Sequence, residues 1–270
     1  MTTAETGVSE DPAAERSRMR KDARTALACL DLTSLNDDDT PLTIERLCAR
    51  ATGSYGTVAA VCVWPRFVKQ ARSLLPPSIA VAAVANFPDG GSDRGLAVRD
   101  TAEIAAAGAQ EVDLVLPWRE LAMADTLLRA VRRECIGLGL KVILETGELN
   151  DPVLIERACR IALDGGADFL KTSTGKTARS ATPEAARLML RAIRDDGAAS
   201  TRVGFKPAGG IRTVPDAAIY ITLFQEMLGA AALSPKRFRI GASSLLTDIE
   251  AVLADEPGHA APAAAADNSY

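Results

Sequence analysis

Two lysines stand where lysines are costly. Lys171 ends the apolar run Asp168-Phe169-Leu170-Lys171, and Lys206 lies in Val203-Gly204-Phe205-Lys206-Pro207. An ammonium on a buried strand loses hydration, so it pairs with a carboxylate or gives up its proton and becomes a nucleophilic amine. The alternative is a lysine that reaches out to water from the strand end. A second cation close by favours the neutral form of one amine, a recognised route to a reactive lysine. Other apolar runs end in Asp31, Cys62, Asn86, Asp113 and Glu145. The one histidine, His259, lies in an Ala/Pro-rich segment, so neither a Ser-His-Asp or Cys-His mechanism nor a multi-histidine metal site has its residues. No metal and no cofactor are expected.

Glycine-rich turns follow the same runs. Gly175-Lys176-Thr177 looks like the end of a nucleotide phosphate loop, but that motif needs a glycine where Leu170 stands. The underlying physics survives without the nucleotide, because loop amides and a helix N-terminus hold a phosphate unaided. Pro207-Ala208-Gly209-Gly210-Ile211-Arg212 and Gly241-Ala242-Ser243-Ser244 are further turns of this kind. Each alone is an ordinary tight turn; together they point to a substrate that carries a phosphate.

The elements that must position these residues follow a rhythm. Apolar runs at Leu27 to Asp31, Thr57 to Val63, Ile79 to Asn86, Glu111 to Leu116, Lys141 to Thr146, Asp168 to Thr172, Arg202 to Pro207 and Arg237 to Gly241 alternate with segments of helical period. Continuous rather than alternating apolar runs suit strands buried on both faces, as in parallel sheets. Thr182-Pro183-Glu184 and Asn150-Asp151-Pro152 give helix N-caps followed by proline, and Gly108, Gly139, Gly166 and Gly229 stand at helix ends. Eight strands alternating with helices predict an α/β fold, a (β/α)8 TIM barrel with a short N-terminal helix and a flexible C-terminal tail; a doubly wound open sheet is the alternative. Residues 1–15 are expected to be disordered, 16–254 to form the barrel and 255–270 to form the tail, although the helical pattern already starts at Pro12.

Gly108-Ala109 and Gly166-Ala167 each precede a charged residue, Asp113 and Lys171, by the same spacing. If both glycines stop helices, the carboxylate and the amine sit at similar heights on strands four and six, which share side-chain layers in a barrel. The alternative is a coincidence of two turns. Sites in this fold lie at the C-terminal ends of the strands, with a common phosphate site after strands seven and eight.

Composition bounds the rest. Across 270 residues, 47% are hydrophobic and 24% charged, with a net charge of −4, which gives no basic footprint for nucleic acid. Five cysteines without a Cys-x-x-Cys pair suit a reduced, cytoplasmic chain. The longest apolar runs are far too short to span a bilayer, and no signal segment is recognisable at the N-terminus.

An imine-forming lysine, a phosphate cradle and no metal ligands describe a Schiff-base aldolase acting on a phosphorylated sugar. Asp31-Leu32-Thr33-Ser34-Leu35-Asn36-Asp37, Asn86-Phe87-Pro88, Glu111-Val112-Asp113, Glu145-Thr146-Gly147-Glu148-Leu149, Phe169 to Lys176, Gly204 to Gly210 and Gly241 to Ser244 together resemble the deoxyribose-phosphate aldolases. The likeness runs in order from about Leu27 to Leu246. It implies a TIM barrel of the class I type that reversibly cleaves 2-deoxyribose 5-phosphate to glyceraldehyde 3-phosphate and acetaldehyde in deoxyribonucleoside catabolism, with homodimers common among relatives. By the same resemblance Lys171 is the Schiff-base lysine, Lys206 and Asp113 tune it and relay protons, and Asp31 lies near the second lysine and the substrate hydroxyls. Thr174, Gly175, Lys176, Gly209, Gly210, Arg212, Gly241, Ser243 and Ser244 match substrate- and phosphate-binding positions. Cys62 matches a cysteine open to trapping by an unsaturated aldehyde, or is a core cysteine, and Tyr270 matches a C-terminal tyrosine that assists proton transfer at the enamine carbon. Another sugar-phosphate Schiff-base enzyme and a catalytically silent sugar-phosphate binder are the rival readings.

Overall fold

The structure is a computed structural model and describes residues 11–254. Strands β1 (Leu30–Thr33), β2 (Ala60–Val63), β3 (Ala80–Ala85), β4 (Glu111–Val115), β5 (Gly139–Ile143), β6 (Phe169–Lys171), β7 (Gly204–Lys206) and β8 (Ile240–Ala242) form one sheet in the order β8-β1-β2-β3-β4-β5-β6-β7. All neighbours are parallel. The two ends meet through bridges from Phe205 to Phe238 and from Ala208 to Gly241, which complete the ring. A doubly wound sheet would reverse its strand order at a switch point. Here every strand adds beside its predecessor, so the barrel is the fold.

The outer layer is α1 (Pro12–Ala28), α2 (Pro41–Arg50), α3 (Val68–Leu74), α4 (Arg94–Ala106), α5 (Leu121–Glu134), the one-turn α6 (Thr146–Leu149), α7 (Pro152–Asp164), α8 (Pro183–Asp195), α9 (Val214–Leu228) and α10 (Leu245–Ala254). Their starts follow the sequence signals. Asp151 accepts from the Val153 N–H and Thr182 from the Ala185 N–H, each with proline in the first turn. Helix α1 packs on α9 and α10. It begins at Pro12, capped by the Asp11 carboxylate, so residues 12–15 of the segment expected to be disordered are helical.

Two strand boundaries moved for local reasons. The run from Leu27 is shared, its first residues finishing α1 and the rest making β1, because a short apolar run looks alike in a buried helix end and a buried strand. The run from Thr57 splits, with Thr57 in a small antiparallel hairpin of Thr52–Gly53 and Gly56–Thr57 and the barrel strand starting at Ala60.

The matched glycines do close their helices in the same way. Gly108 and Gly166 have φ of 92° and 84° and close α4 and α7 alike. The Gly108 N–H donates to Ala105 O and the Ala109 N–H to Ile104 O; the Gly166 N–H donates to Leu163 O and the Ala167 N–H to Ala162 O. This paired closure needs a left-handed residue, which glycine supplies without a Cβ clash. Five residues on from each glycine, Asp113 and Lys171 point into the barrel.

Candidate active site

The barrel interior between the strands is charged. Lys171 Nζ lies 2.8 Å from Asp113 Oδ2, and Lys206 Nζ lies 2.7 Å from the same oxygen. Lys206 also donates to Asp31 Oδ2. A third lysine, Lys141 on β5, sits 2.7 Å from Asp113 Oδ1 and 2.6 Å from Glu111 Oε2. Arg239, just before β8, spans 2.7 Å contacts to both Asp31 Oδ1 and Glu111 Oε1. Asp31, Asp113, Lys141 and Lys206 are 0% exposed, so these charges stand or fall by their mutual pairing.

The electrostatics separate the two lysines at the strand ends. Burial lowers the Lys171 pKa; Asp113 opposes this, and the charge of Lys206 lowers it further. Burial acts on Lys206 in the same direction, but Asp113 and Asp31 together outweigh it and raise its pKa. The carboxyls follow the complementary logic. Burial would raise Asp31, yet Lys206, Arg239 and Lys141 hold it well below the usual carboxylate range, and Asp113 is likewise held down by Lys141, Lys171 and Lys206. Such carboxylates contribute stability that is present above the unfolded-state pKa of about 3.9 and is lost as pH falls below it. The melting temperature is therefore expected to drop below about pH 4. A flat melting profile through that region would contradict the pairing.

Above this layer opens a cavity of about 270 Å³ at the C-terminal ends of β1, β6, β7 and β8. Lys171 lines it, whereas Lys206, Asp31, Asp113 and Cys62 lie beneath its floor. Thr174, Gly175, Lys176, Gly209, Gly210, Arg212, Gly241, Ser243 and Ser244 all line its walls, joined by Thr33 to Asn36 from the loop after β1. Lys176, Arg212, Ser243 and Ser244 are at the mouth, where α10 begins just after the serines. Larger grooves of about 510 and 590 Å³ run along the outer helices, away from the strand ends and from the buried charges.

The loops are held by side chains whose spacing gave no warning. Glu145, in the left-handed region at φ 55°, accepts from Thr174 Oγ1 at 2.5 Å, from the Thr174 N–H and from Thr177 Oγ1 at 3.3 Å. Thr174 Oγ1 in turn accepts from the Lys176 N–H at 3.0 Å. Glu145 thus fixes the wall that carries Lys176 instead of offering a free carboxylate. Asn86 is also committed, its Nδ2 donating to Gly91 O at 2.8 Å and Val115 O at 3.0 Å. Cys62 is fully buried beside Leu35, Ala82 and Val84, with burial pushing its thiol pKa up. Tyr270 lies outside the described residues.

Lys141, Glu111 and Arg239 were not singled out from the sequence. The signal for Lys141 was present, since Lys141-Val142-Ile143-Leu144 is another lone lysine beside an apolar run. Glu111 precedes Asp113 by two residues and so shares its face of β4. Arg239 gave no local cue.

Comparison with known proteins meets this geometry. Residues 25–250 match the description "DeoC/LacD family aldolase". The chain belongs to that family. The deoxyribose-phosphate aldolase of Agrobacterium fabrum (strain C58) is 48% identical over 256 residues, covering 92% of this chain and 98% of the relative. A solved chain from Toxoplasma gondii ME49, provisionally named a deoxyribose-phosphate aldolase, superposes with a TM-score of 0.80 at 25% identity, covering 88% of this chain and 96% of its own. The structure named QR15, an aldolase, gives 0.71 at 29% identity over 84% of this chain and 96% of its own. Among the described residues no helix is long and apolar enough to cross a membrane.

Proposed function

We propose that this chain is a class I deoxyribose-phosphate aldolase, with Lys171 as the amine that forms the imine. The observation that carries the assignment of the nucleophile is that Lys171 combines a lowered pKa with a place on the cavity wall, while Lys206 is charged and sealed beneath the floor. The neutral amine of Lys171 adds to the C1 aldehyde of open-chain 2-deoxyribose 5-phosphate, and loss of water gives the protonated imine. That imine is an electron sink. Removal of the C3 hydroxyl proton lets the C2–C3 bond break, its electron pair moving into the imine as glyceraldehyde 3-phosphate leaves. The remaining enamine takes a proton at C2, and water releases acetaldehyde and returns the free amine.

Asp113, 2.8 Å from the Lys171 nitrogen, exchanges protons with it at the carbinolamine and hydrolysis steps, with Lys206 on the same Asp113 oxygen as its proton partner. The phosphate fits the mouth, where Lys176 and Arg212 supply positive charge and the Gly209-Gly210 and Ser243-Ser244 turns and the start of α10 present backbone amides. Anchoring there keeps the binding energy remote from the bond that breaks, so it serves orientation. A homodimer belongs to this reading on the family resemblance, and a cytoplasmic setting on the five cysteines without a Cys-x-x-Cys pair.

Incubation with 2-deoxyribose 5-phosphate followed by borohydride reduction is expected to leave a two-carbon adduct on Lys171, mapped by peptide mass spectrometry. An adduct confined to Lys206 would exchange the roles of the two lysines. No adduct and no acetaldehyde would overturn the assignment in favour of a silent sugar-phosphate binder.

A further inference from the structure

The buried charges do not stop at the residues that touch the cavity. Lys141, Glu111 and Arg239 form a lower tier, continuous with the upper one through Asp31 and Asp113. Lys141 contacts three carboxylates, reaching Asp31 Oδ2 at 3.5 Å besides Asp113 and Glu111. Counting the whole cluster gives four cations, Lys141, Lys171, Lys206 and Arg239, against three anions, Asp31, Glu111 and Asp113. With all seven ionised the barrel interior carries one uncompensated positive charge. With Lys171 neutral it carries none.

We infer that Lys141 is a positioning residue whose permanent charge, buried beneath the reaction layer, saturates Asp113 from below and so leaves Lys171 as the amine without a counter-ion of its own. This rests on the reading of Lys171 as the imine-forming lysine. Asp113 presents one oxygen downwards to Lys141 and the other upwards, where Lys206 and Lys171 share it. A carboxylate already compensated by one ammonium cannot hold two more at full charge where all of these groups are buried. Of the two that compete, Lys206 has Asp31 as a second partner and Lys171 has none among the described residues. The groups facing Lys171 are Asp113 on β4, Lys206 on β7, Cys62 on β2 and Glu145 at the end of β5. Glu145 turns its oxygens to Thr174 and Thr177 and makes no ion pair with Lys171, and burial holds the Cys62 thiol above its ordinary pKa, so neither is a counter-ion in contact with the amine.

The test follows from the count. Lys141→Met removes a cation of similar length and leaves three cations facing three anions, so a proton on Lys171 is then compensated. The acid limb of kcat/KM is expected to move to higher pH by about one unit or more, a tenfold or greater loss near neutral pH that recovers as pH rises. The double variant Lys141→Met/Glu111→Gln removes one charge of each sign; the amide oxygen introduced in place of the Glu111 carboxylate can still accept from Arg239, and the acid limb is expected to return to its original position. Replacing a buried ion pair by uncharged side chains of similar size commonly preserves the fold, so the double variant keeps the test available if the single one does not fold.

A single variant whose pH profile superimposes on that of the unaltered protein would overturn the inference. So would a double variant displaced as far as the single, or one displaced on its own when the single does not fold. Borohydride trapping on the unaltered protein runs alongside. Failure there counts against Lys171 as the imine former, whereas normal trapping with an unmoved profile in the variants counts only against the role of Lys141.

Discussion

Lys171→Leu is expected to abolish cleavage of 2-deoxyribose 5-phosphate, lowering kcat by about 10⁴-fold or more, while the protein keeps its melting temperature or gains a few degrees. The two halves of this expectation have separate causes. Without the amine no imine forms at the floor: Lys176 stands exposed at the mouth, Lys206 lies beneath the floor, and the Cys62 thiol is fully buried with a raised pKa. The fold is spared because Asp113 keeps Lys141 at 2.7 Å and Lys206 at 2.7 Å when Lys171 is removed. Leucine meanwhile suits a position only 3% exposed. Circular dichroism confirms folding and a coupled acetaldehyde assay reads turnover. Measurable turnover by a folded variant would remove Lys171 from its role.

Lys206→Leu is expected to lower kcat by about 10² to 10⁴-fold with a smaller change in KM. Lys206 does not reach the cavity wall, so substrate binding loses little. What is lost is the proton partner beside Lys171 and the second cation that competes for Asp113 Oδ2. Lys171 then becomes the sole upper partner of that oxygen and holds its proton more tightly, so part of the lost rate should return as pH rises. Asp31 retains Arg239 at 2.7 Å and Asp113 retains Lys141, so neither carboxylate is left unpaired. Unpairing one would cost about 3–5 kcal/mol. Steady-state kinetics across pH check this. Unchanged kcat would exclude Lys206 from proton transfer and from tuning.

The comparison of the two lysines shows how far sequence reasoning reached. Both stand at the ends of short apolar strands, and both looked alike as candidates for a reactive amine. Their burial and the strand alternation were legible because continuous apolar runs bounded by glycine and proline suit parallel, doubly covered strands. The pairing of Asp113 with Lys171 was legible as well, since two identical helix closures count out the same number of residues into β4 and β6. The wall residues from Thr174 to Ser244 followed from their place after strands six, seven and eight.

What the sequence alone determined, then, is the barrel, the end of it that carries the site, and the residues whose types suit an imine and a phosphate. Local period, caps and turns fix these, and each is written in a few consecutive residues. Only the tertiary structure decided which lysine faces the cavity and which lies under it, and that Asn86 and Glu145 spend their polar groups on the loops. It alone revealed the lower tier, in which Arg239, just before β8, meets Glu111 on β4. The physical reason is range. Hydrogen-bonded closures act over one turn of chain, but a charge in a barrel is set by every charge that the eight strands bring within a few ångströms, and those contacts exist only once the ring has closed.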